Sequence, residues 1–170
     1  MKAVEGWRSG RLGELCSIEI GGTPSRSNPD FWDASKESSN LWVSIKDLNK
    51  SVITETTEYL STSGIKHSNA KLQKQGTILL SFKLSIGRVA FAGVPLYTNE
   101  AIAGLKSNKI NPYYLFHGLH QWDLLQEVDQ AIKGATLNKE KLKKITFEYP
   151  ESWTEQTKIA EILSTVDRAI

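Results

Sequence analysis

The chain has 170 residues, 39% of them hydrophobic and 24% charged, with a formal net charge of +2 at pH 7. This length and composition predict one main folded domain with an appendage, in which any disorder is confined to loops. No segment approaches the roughly 20 apolar residues of a membrane-spanning helix, and the first ten residues lack a signal peptide's apolar core. We therefore expect a cytoplasmic protein with no membrane association, in which Cys16 is a buried free thiol.

In the first half of the chain, short apolar runs predict strands separated by polar loops. Residues 12–20 alternate apolar and polar side chains, and Gly21-Gly22-Thr23-Pro24 ends the predicted strand. In the polar loop that follows, Phe31 and Trp32 are expected to anchor the chain to the protein body. Further strands are predicted at residues 41–45, 52–59, 77–82 and 88–91, with a polar turn at residues 83–87.

A long amphipathic helix is predicted after Asn111. Asn is a favoured N-cap, and Pro112 at the first helical position loses no hydrogen bond. Gly134 is expected to end this helix. One apolar stripe runs along it, formed by Leu115, Leu119, Trp122, Leu125, Val128 and Ile132.

A short strand at residues 145–149 and a helix at residues 153–170 complete the predicted elements. Ile159, Leu163, Val166 and Ile170 follow 4-3-4 spacing, the seam that a helix needs to pair with another helix. An isolated helix of this length is marginal in water, so it needs a partner. That partner is either another helix or the chain's own domain, and the sequence leaves both open.

The patterns of several catalytic sites are missing. Asn111-Pro112-Tyr113-Tyr114 is similar to the motif of amino-methylating DNA methyltransferases, but no Gly-x-Gly turn accompanies it to hold a methyl donor. No lysine follows an acidic residue at the two-residue spacing of common metal-dependent nucleases. His117 and His120 lack further ligands for a metal, and no Gly-x-Ser-x-Gly elbow occurs. We predict no catalytic centre, no metal site and no cofactor in this chain.

The remaining chemistry is that of recognition, because polar and basic side chains concentrate in the predicted loops. Lysine and arginine bind phosphates, and short polar side chains read base edges. The candidate DNA-binding residues are Thr23, Ser25, Arg26, Lys46, Lys83, Ser85, Arg88, Asn99, Lys133, Thr136 and Lys139.

Taken together and in order, the motifs resemble one target recognition domain of the specificity subunits of Type I restriction-modification systems, with the start of the helical spacer. The residues that carry the resemblance are Trp7, Leu12-Gly13-Glu14, Gly21-Gly22-Thr23-Pro24, Trp32, Trp42, Ile45, Asp47-Leu48, Ser63-Gly64, Gly76, Ile86-Gly87, Thr98-Asn99, Asn111-Pro112-Tyr113, Gly134, Thr136, Leu142, Ile145, Pro150, Glu155-Gln156, Ile159, Leu163 and Asp167. Glu100 departs from the family, which often has glutamine there, and we do not expect it to contact DNA directly.

The resemblance implies an α/β fold of the α+β type. Residues 1–150 would form a mixed, twisted β-sheet target recognition domain with a packed helix. Residues 151–170 would begin a spacer that pairs as in a coiled coil. Such a subunit is not an enzyme: it reads one half of a bipartite double-stranded DNA target and docks the modification methyltransferase, and through it the restriction subunit. S-adenosylmethionine, ATP and Mg would bind only to those partners.

Each motif occurs once, whereas a usual specificity subunit has two such domains in tandem. We therefore expect a half-subunit, either a fragment or a naturally short form that homodimerises through the terminal helix. An alternative function is an assembly or inhibitory half-subunit that acts through protein contacts and binds little DNA alone. A third reading, a standalone methyltransferase or nuclease, predicts activity of the purified chain, and we expect none.

Overall fold

A computed structural model describes residues 5–121 and 137–169. The chain divides into two compact units. The central unit is Ile18–Leu105, and the terminal unit combines Met1–Ser17 with Lys106–Ile170. The predicted boundary at residue 150 separates DNA reading from assembly, and this functional division stays a prediction.

Within the described residues, short strands outnumber helices. The strands are β1 (Trp7–Arg11), β2 (Ser17–Ile20), β3 (Leu41–Val43), β4 (Val52–Ile53), β5 (Glu58–Tyr59), β6 (Leu72–Gln73), β7 (Ile78–Ser81), β8 (Val89–Ala92), β9 (Leu96–Thr98), β10 (Ile102–Lys106) and β11 (Thr146–Pro150). The helices are α1 (Leu12–Leu15), α2 (Thr62–Lys66), α3 (Pro112–Gln121), α4 (Lys139–Lys144) and α5 (Trp153–Ala169), with 3₁₀ turns at Pro29–Phe31 and Ile45–Asp47.

Two mixed sheets build the central unit. One has the order β2-β10-β7-β8-β4, in which β10, β7 and β8 are antiparallel neighbours and β4 pairs in parallel with β8. The other has the order β5-β3-β9-β6, in which β3 and β9 are parallel. Apolar side chains from both sheets form one buried core: Leu41, Val43, Leu48, Ile53, Leu79, Ala90, Ala92, Leu96 and Ile102.

Several predicted strands are shorter than the sequence pattern indicates. The strand predicted at residues 12–20 is wrong in its first half, where α1 turns the chain so that Leu12 and Leu15 are both buried. Residues 45–47 form a 3₁₀ turn, because the Ser44 N–H and hydroxyl both bond to the Asp47 carboxylate. Residues 52–59 split into β4 and β5, which belong to different sheets.

In the terminal unit, β1 and β11 form an antiparallel pair with Gly10 opposite Phe147. Cys16 is buried and free, as predicted, and burial raises the pKa of its thiol to about 11. A neutral thiol at physiological pH is a weak nucleophile, so Cys16 serves packing.

Helix α3 begins where Asn111 and Pro112 predict. The Asn111 side-chain oxygen accepts hydrogen bonds from the backbone N–H groups of Tyr113 (2.9 Å) and Tyr114 (3.2 Å). Leu115 and Leu119 of the predicted apolar stripe are fully buried. Trp122, Leu125, Val128, Ile132 and Gly134, also predicted in this helix, lie outside the described residues.

Helix α5 packs back onto its own unit through its first turns. Gln156, 1% exposed, accepts a 2.7 Å hydrogen bond from the Asn111 N–H and donates a 2.8 Å bond to the Pro150 carbonyl. Ala160 is buried, and Ser164 bonds to the ring of His117 at 2.8 Å. The own-domain alternative for this helix is therefore confirmed for these turns.

The same helix exposes apolar side chains farther along. Ile162 is 65% exposed and Val166 is 50% exposed, while Ile159 and Leu163 are half-buried. Ile170, the last residue of the predicted seam, lies outside the described residues. Pairing of this face with a second helix stays a prediction. Within the part of the chain that the structure describes, no helix is long and apolar enough to cross a membrane.

Replacing Gln156 with Leu tests the link between α5 and α3. The variant leaves the Asn111 N–H and the Pro150 carbonyl without partners, at a cost of about 1–3 kcal/mol each in the free energy of unfolding. Urea denaturation measures the loss. Glu155→Gln, at the exposed neighbouring position, is the control and should stay within about 0.5 kcal/mol of the native chain. Equal stability of Gln156→Leu and the native chain would contradict this role.

Candidate nucleic-acid interface

Loops that follow β2, β3, β7 and β9 meet in the central unit. We call this region the loop surface and define it as residues 21–26, 45–47, 82–88 and 99–101. It holds the cations Arg26, Lys46, Lys83 and Arg88, against two carboxylates, Asp47 and Glu100. The region therefore carries a net positive formal charge, the sign that attracts a phosphate backbone.

Hydrogen bonds join the four segments directly. The Gly22 N–H donates to the Thr98 carbonyl at 2.8 Å, and the Asn99 N–H donates to the Val43 carbonyl at 3.0 Å. The Arg88 guanidinium donates to the Ile45 carbonyl at 3.2 Å. The first two bonds join backbone atoms and position their loops whatever the neighbouring side chains are, whereas the third depends on the Arg88 side chain.

Gly21 allows the first of these approaches. A Cβ at this position would overlap the backbone oxygens of Thr98 and Asn99. Hydrogen gives the space that the close packing needs, which explains why the turn after β2 contains glycine here.

The Arg26 guanidinium lies over the rings of two tryptophans. Its guanidinium carbon is 3.8 Å from the ring centroid of Trp32 and 4.8 Å from that of Trp42. Its two terminal nitrogens pair with the two carboxylate oxygens of Glu58. The Trp42 indole N–H in turn donates to the Gly22 carbonyl at 3.0 Å. Arg26 is therefore held in one orientation, and its charge is largely balanced within the protein.

Thr23 and Glu100 connect two of the loops through their side chains. The Thr23 hydroxyl donates to the Glu100 carboxylate. Burial would raise the pKa of Glu100, but this bond, the residue's own N–H and the charges of Lys83 and Arg26 outweigh it and lower the pKa. Glu100 is thus an anion at neutral pH, and the neighbouring cations favour this charged form.

The turn at residues 82–88 is held by the buried hydroxyl of Ser81. This hydroxyl donates to the Ser85 carbonyl at 2.6 Å and accepts from the Arg88 N–H at 2.9 Å. Ser85 has φ of 47° and Gly87 has φ of 92°, both in the left-handed region. The turn is therefore tight, and it presents Lys83 and Ser85 from a fixed backbone.

Asp47 braces the loop after β3. One carboxylate oxygen accepts from the N–H and hydroxyl of Ser44 at 2.8 and 2.7 Å, and the other from the N–H and hydroxyl of Thr57 at 3.0 and 2.9 Å. Burial would raise the pKa of Asp47, but these four bonds outweigh it and lower the pKa. The Asp47 carboxylate therefore bonds to groups of the protein itself. The neighbouring Lys46 side chain is exposed at the surface.

The structure brings together eight of the eleven predicted DNA-binding residues in the loop surface: Thr23, Ser25, Arg26, Lys46, Lys83, Ser85, Arg88 and Asn99. Asn99 caps its own turn, since its side-chain oxygen accepts from the Ala101 N–H at 3.0 Å. Lys139 is exposed at the start of α4 in the terminal unit. Lys133 and Thr136 lie outside the described residues.

Sequence reasoning missed the partners that orient these side chains. Glu58 holds Arg26 across 32 positions of sequence, and no local pattern relates the two. The anchor role predicted for Trp32 is confirmed, because its ring meets Trp42 edge-on at 5.0 Å and its N–H bonds to the Ser25 carbonyl. No cluster of three or more potential metal ligands occurs in residues 5–121 and 137–169.

The comparisons with known proteins agree in pointing to one family. The family model for the Type I restriction modification DNA specificity domain matches residues 4–170. The chain is 27% identical to the MjaIX specificity subunit of Methanocaldococcus jannaschii over 99% of its length, and 28% identical to the EcoR124I/EcoR124II specificity subunit of Escherichia coli over 95%. In both cases the match covers 40% of the relative, so the chain spans less than half of these proteins.

Solved structures have the same fold. The HsdS subunit from Thermoanaerobacter tengcongensis superposes with a TM-score of 0.74 at 20% identity, covering 99% of this chain and 39% of that one. A chain from a study of type I R-M complex assembly gives 0.76 at 21% identity, covering 99% and 40%. These likenesses confirm the predicted α/β class with twisted mixed sheets and a terminal helix.

Asp47→Asn tests the brace under the loop after β3. In the variant, the amide NH₂ group replaces one carboxylate oxygen and faces the N–H and hydroxyl donors of Ser44 or Thr57, so these hydrogen bonds are lost. We expect the free energy of unfolding at pH 7 to fall by about 1–3 kcal/mol. Because the folded pKa of Asp47 is lowered, its contribution is full above the unfolded pKa of about 4 and fades as pH falls through the folded pKa. The difference between variant and native chain should therefore shrink below pH 4.

Urea denaturation at pH 7 and at pH 3 measures this difference. Glu37→Gln, at an exposed position, removes the same charge without the four hydrogen bonds and should change little at either pH. A difference that stays constant or grows on acidification would refute the role assigned to the Asp47 carboxylate.

Proposed function

Because the chain belongs to the family of Type I restriction modification DNA specificity domains, we propose that its loop surface reads one half of a bipartite DNA target and that its terminal helix docks the methyltransferase subunit. The restriction subunit would join through that methyltransferase. S-adenosylmethionine, ATP and Mg would act in those partners, and this chain would supply recognition and assembly.

The convergence of the loops carries this proposal. Four segments far apart in sequence are tied by backbone hydrogen bonds and by the bond from the Arg88 guanidinium into one region, which contains most of the polar and basic side chains predicted to contact DNA. A fixed array of this kind can match base edges in a groove, because the loop backbone need not be ordered at the moment of binding.

The cations in the loop surface divide into two roles. Lys46 and Lys83 are the better candidates for phosphate contacts, since neither makes an ion pair among the described residues. Arg26 and Arg88 are committed to Glu58 and to the Ile45 carbonyl, so they position the loops. Lys139, Lys133 and Thr136 are proposed as further DNA contacts from the terminal unit.

The exposed apolar residues of α5 support the docking role. Ile162 and Val166 are four positions apart on one helix face and remain exposed although the helix is anchored at Gln156. An apolar pair on an anchored helix fits a surface that another helix covers. The match to this chain covers 40% of each of the two specificity subunits named above. Two such domains in tandem are expected in the family, so a single domain would read one half of the target.

Lys83→Glu tests DNA contact by the loop surface. We expect the charge reversal to weaken binding to a duplex pool at low salt by roughly tenfold or more and to reduce the slope of log affinity against log salt by about 1. Fluorescence anisotropy across a salt series measures both quantities.

Lys74→Glu is the matched control for Lys83→Glu. Lys74 is exposed in the same unit but follows β6, beside the start of β9 and at the opposite end of that strand from Asn99. It should retain the native affinity and salt slope. Equal effects of the two reversals, with unchanged thermal unfolding, would place DNA binding away from the loop surface.

The double variant Ile162→Glu and Val166→Glu tests assembly. Two charges on the exposed face of α5 should abolish co-purification with a Type I methyltransferase subunit and leave the thermal unfolding of the chain unchanged. Lys144→Glu and Thr146→Glu, at exposed positions of α4 and β11, add the same type of charge away from α5 and form the control. Co-purification of the apolar-face variant at the native level would contradict docking through this face.

The alternative function, assembly with little DNA binding by the chain alone, is separated by DNA footprinting. Sequence-specific protection by the chain without the methyltransferase subunit favours the proposed function, whereas protection that arises only when that subunit is added favours the alternative.

A further inference from the structure

The Glu100 carboxylate is an anion placed among cations on a surface proposed to face DNA. Its side chain is exposed, and its charge interacts with Lys83 and Arg26. Phosphate oxygens would repel this carboxylate. The carboxylate can accept hydrogen bonds only from donors on the DNA, and in the major groove the bases offer two, the amino groups of cytosine and adenine.

The backbone presents Glu100 at a turn. The Ile102 N–H donates to the Asn99 carbonyl at 3.2 Å, which makes residues 99–102 a β-turn with Glu100 at its second position. The Asn99 N–H is bound to Val43, and the Asn99 side chain accepts from Ala101. Side chains at the corner of a turn point away from the sheet, so Glu100 projects from a fixed base.

Thr23 orients the Glu100 carboxylate without occupying all of its hydrogen-bond acceptor sites. Its hydroxyl supplies one hydrogen bond to Oε2, and a carboxylate has about four acceptor sites. Thr23 itself is placed by the bond from Gly22 to Thr98. An orientation set before binding lowers the entropy lost when the carboxylate accepts a further donor.

Contrary to the expectation from the sequence alone, we propose that Glu100 is a specificity-determining residue that reads the amino group of one cytosine in the DNA target. The inference rests on the proposed function. Cytosine is favoured over adenine because the adenine amino group lies next to the N7 acceptor, which repels a carboxylate, whereas the cytosine amino group lies next to a C–H edge. Guanine and thymine present acceptors there and are rejected.

The amide variant Glu100→Gln has the opposite preference. A glutamine side chain carries a donor and an acceptor, and it pairs with the amino group and N7 of adenine. Exchange of one oxygen for an NH₂ group should therefore change the base selected at one position and leave the rest of the motif intact.

The experiment is selection from a duplex library with a randomised central segment, followed by sequencing. It uses the full chain, with a Type I methyltransferase subunit added if the chain alone enriches no motif. The native chain should enrich a motif in which one position prefers cytosine by about 5- to 10-fold or more. Glu100→Gln should lose that preference or shift it to adenine at this position only.

Two further variants separate reading from folding. Thr23→Val removes the bond to the carboxylate and should weaken discrimination at the same position, with the other positions unchanged. Glu55→Gln removes an exposed carboxylate that pairs with Lys50, and it should leave the whole motif as in the native chain. Thermal unfolding of each variant confirms that the fold is intact.

The outcomes are distinct. An unchanged motif in Glu100→Gln, or a change confined to a position where the native chain selects an A·T pair, would overturn the reading of a cytosine amino group by Glu100 and leave the proposed function standing. Absence of any enriched motif from the native chain in both formats would contradict the proposed function itself.

Discussion

The close approach of the Gly21-Gly22 turn to the end of β9 is the constraint on which the loop surface depends. The absence of a side chain at Gly21 lets its backbone lie against the carbonyls of Thr98 and Asn99, and the Gly22 N–H bonds there. This contact places Thr23 beside Glu100, and the residues that follow bring Arg26 over the ring of Trp32. Without it, the loop after β2 would have no fixed position relative to the loop after β9.

The central unit separates stability from recognition. Its core is formed by the inward side chains of two short-stranded sheets, and its polar contacts lie in the loops at the strand ends. Loops positioned by a rigid scaffold can change side chains with little effect on the core. Asp47 and Ser81 connect the core to the loops. Each uses its hydrogen bonds to hold a loop, and neither is among the proposed DNA contacts.

The sequence was sufficient for the class of fold, the start of α3 and the location of most loop residues, because these follow from local patterns. Asn111 before Pro112 predicts a helix start from two adjacent residues. The partners of Arg26 and Gln156 could not be predicted from the sequence. Glu58 and the Pro150 carbonyl come into contact with them only in the folded chain. The strand predicted over residues 12–20 failed for a different reason: Leu12 and Leu15 are three positions apart, the spacing of one helical turn with two buried leucines, and the alternation is limited to residues 17–20.

The central claim is that DNA is read by the loop surface of the central unit. Photocrosslinking of the chain, with its methyltransferase partner, to a duplex bearing the enriched motif tests this claim most directly when the crosslinked peptides are mapped by mass spectrometry. Recognition by the loop surface predicts crosslinks in residues 21–26, 82–88 and 99–101. Crosslinks confined to residues of the central unit outside the loop surface, such as those around Lys74, would contradict it.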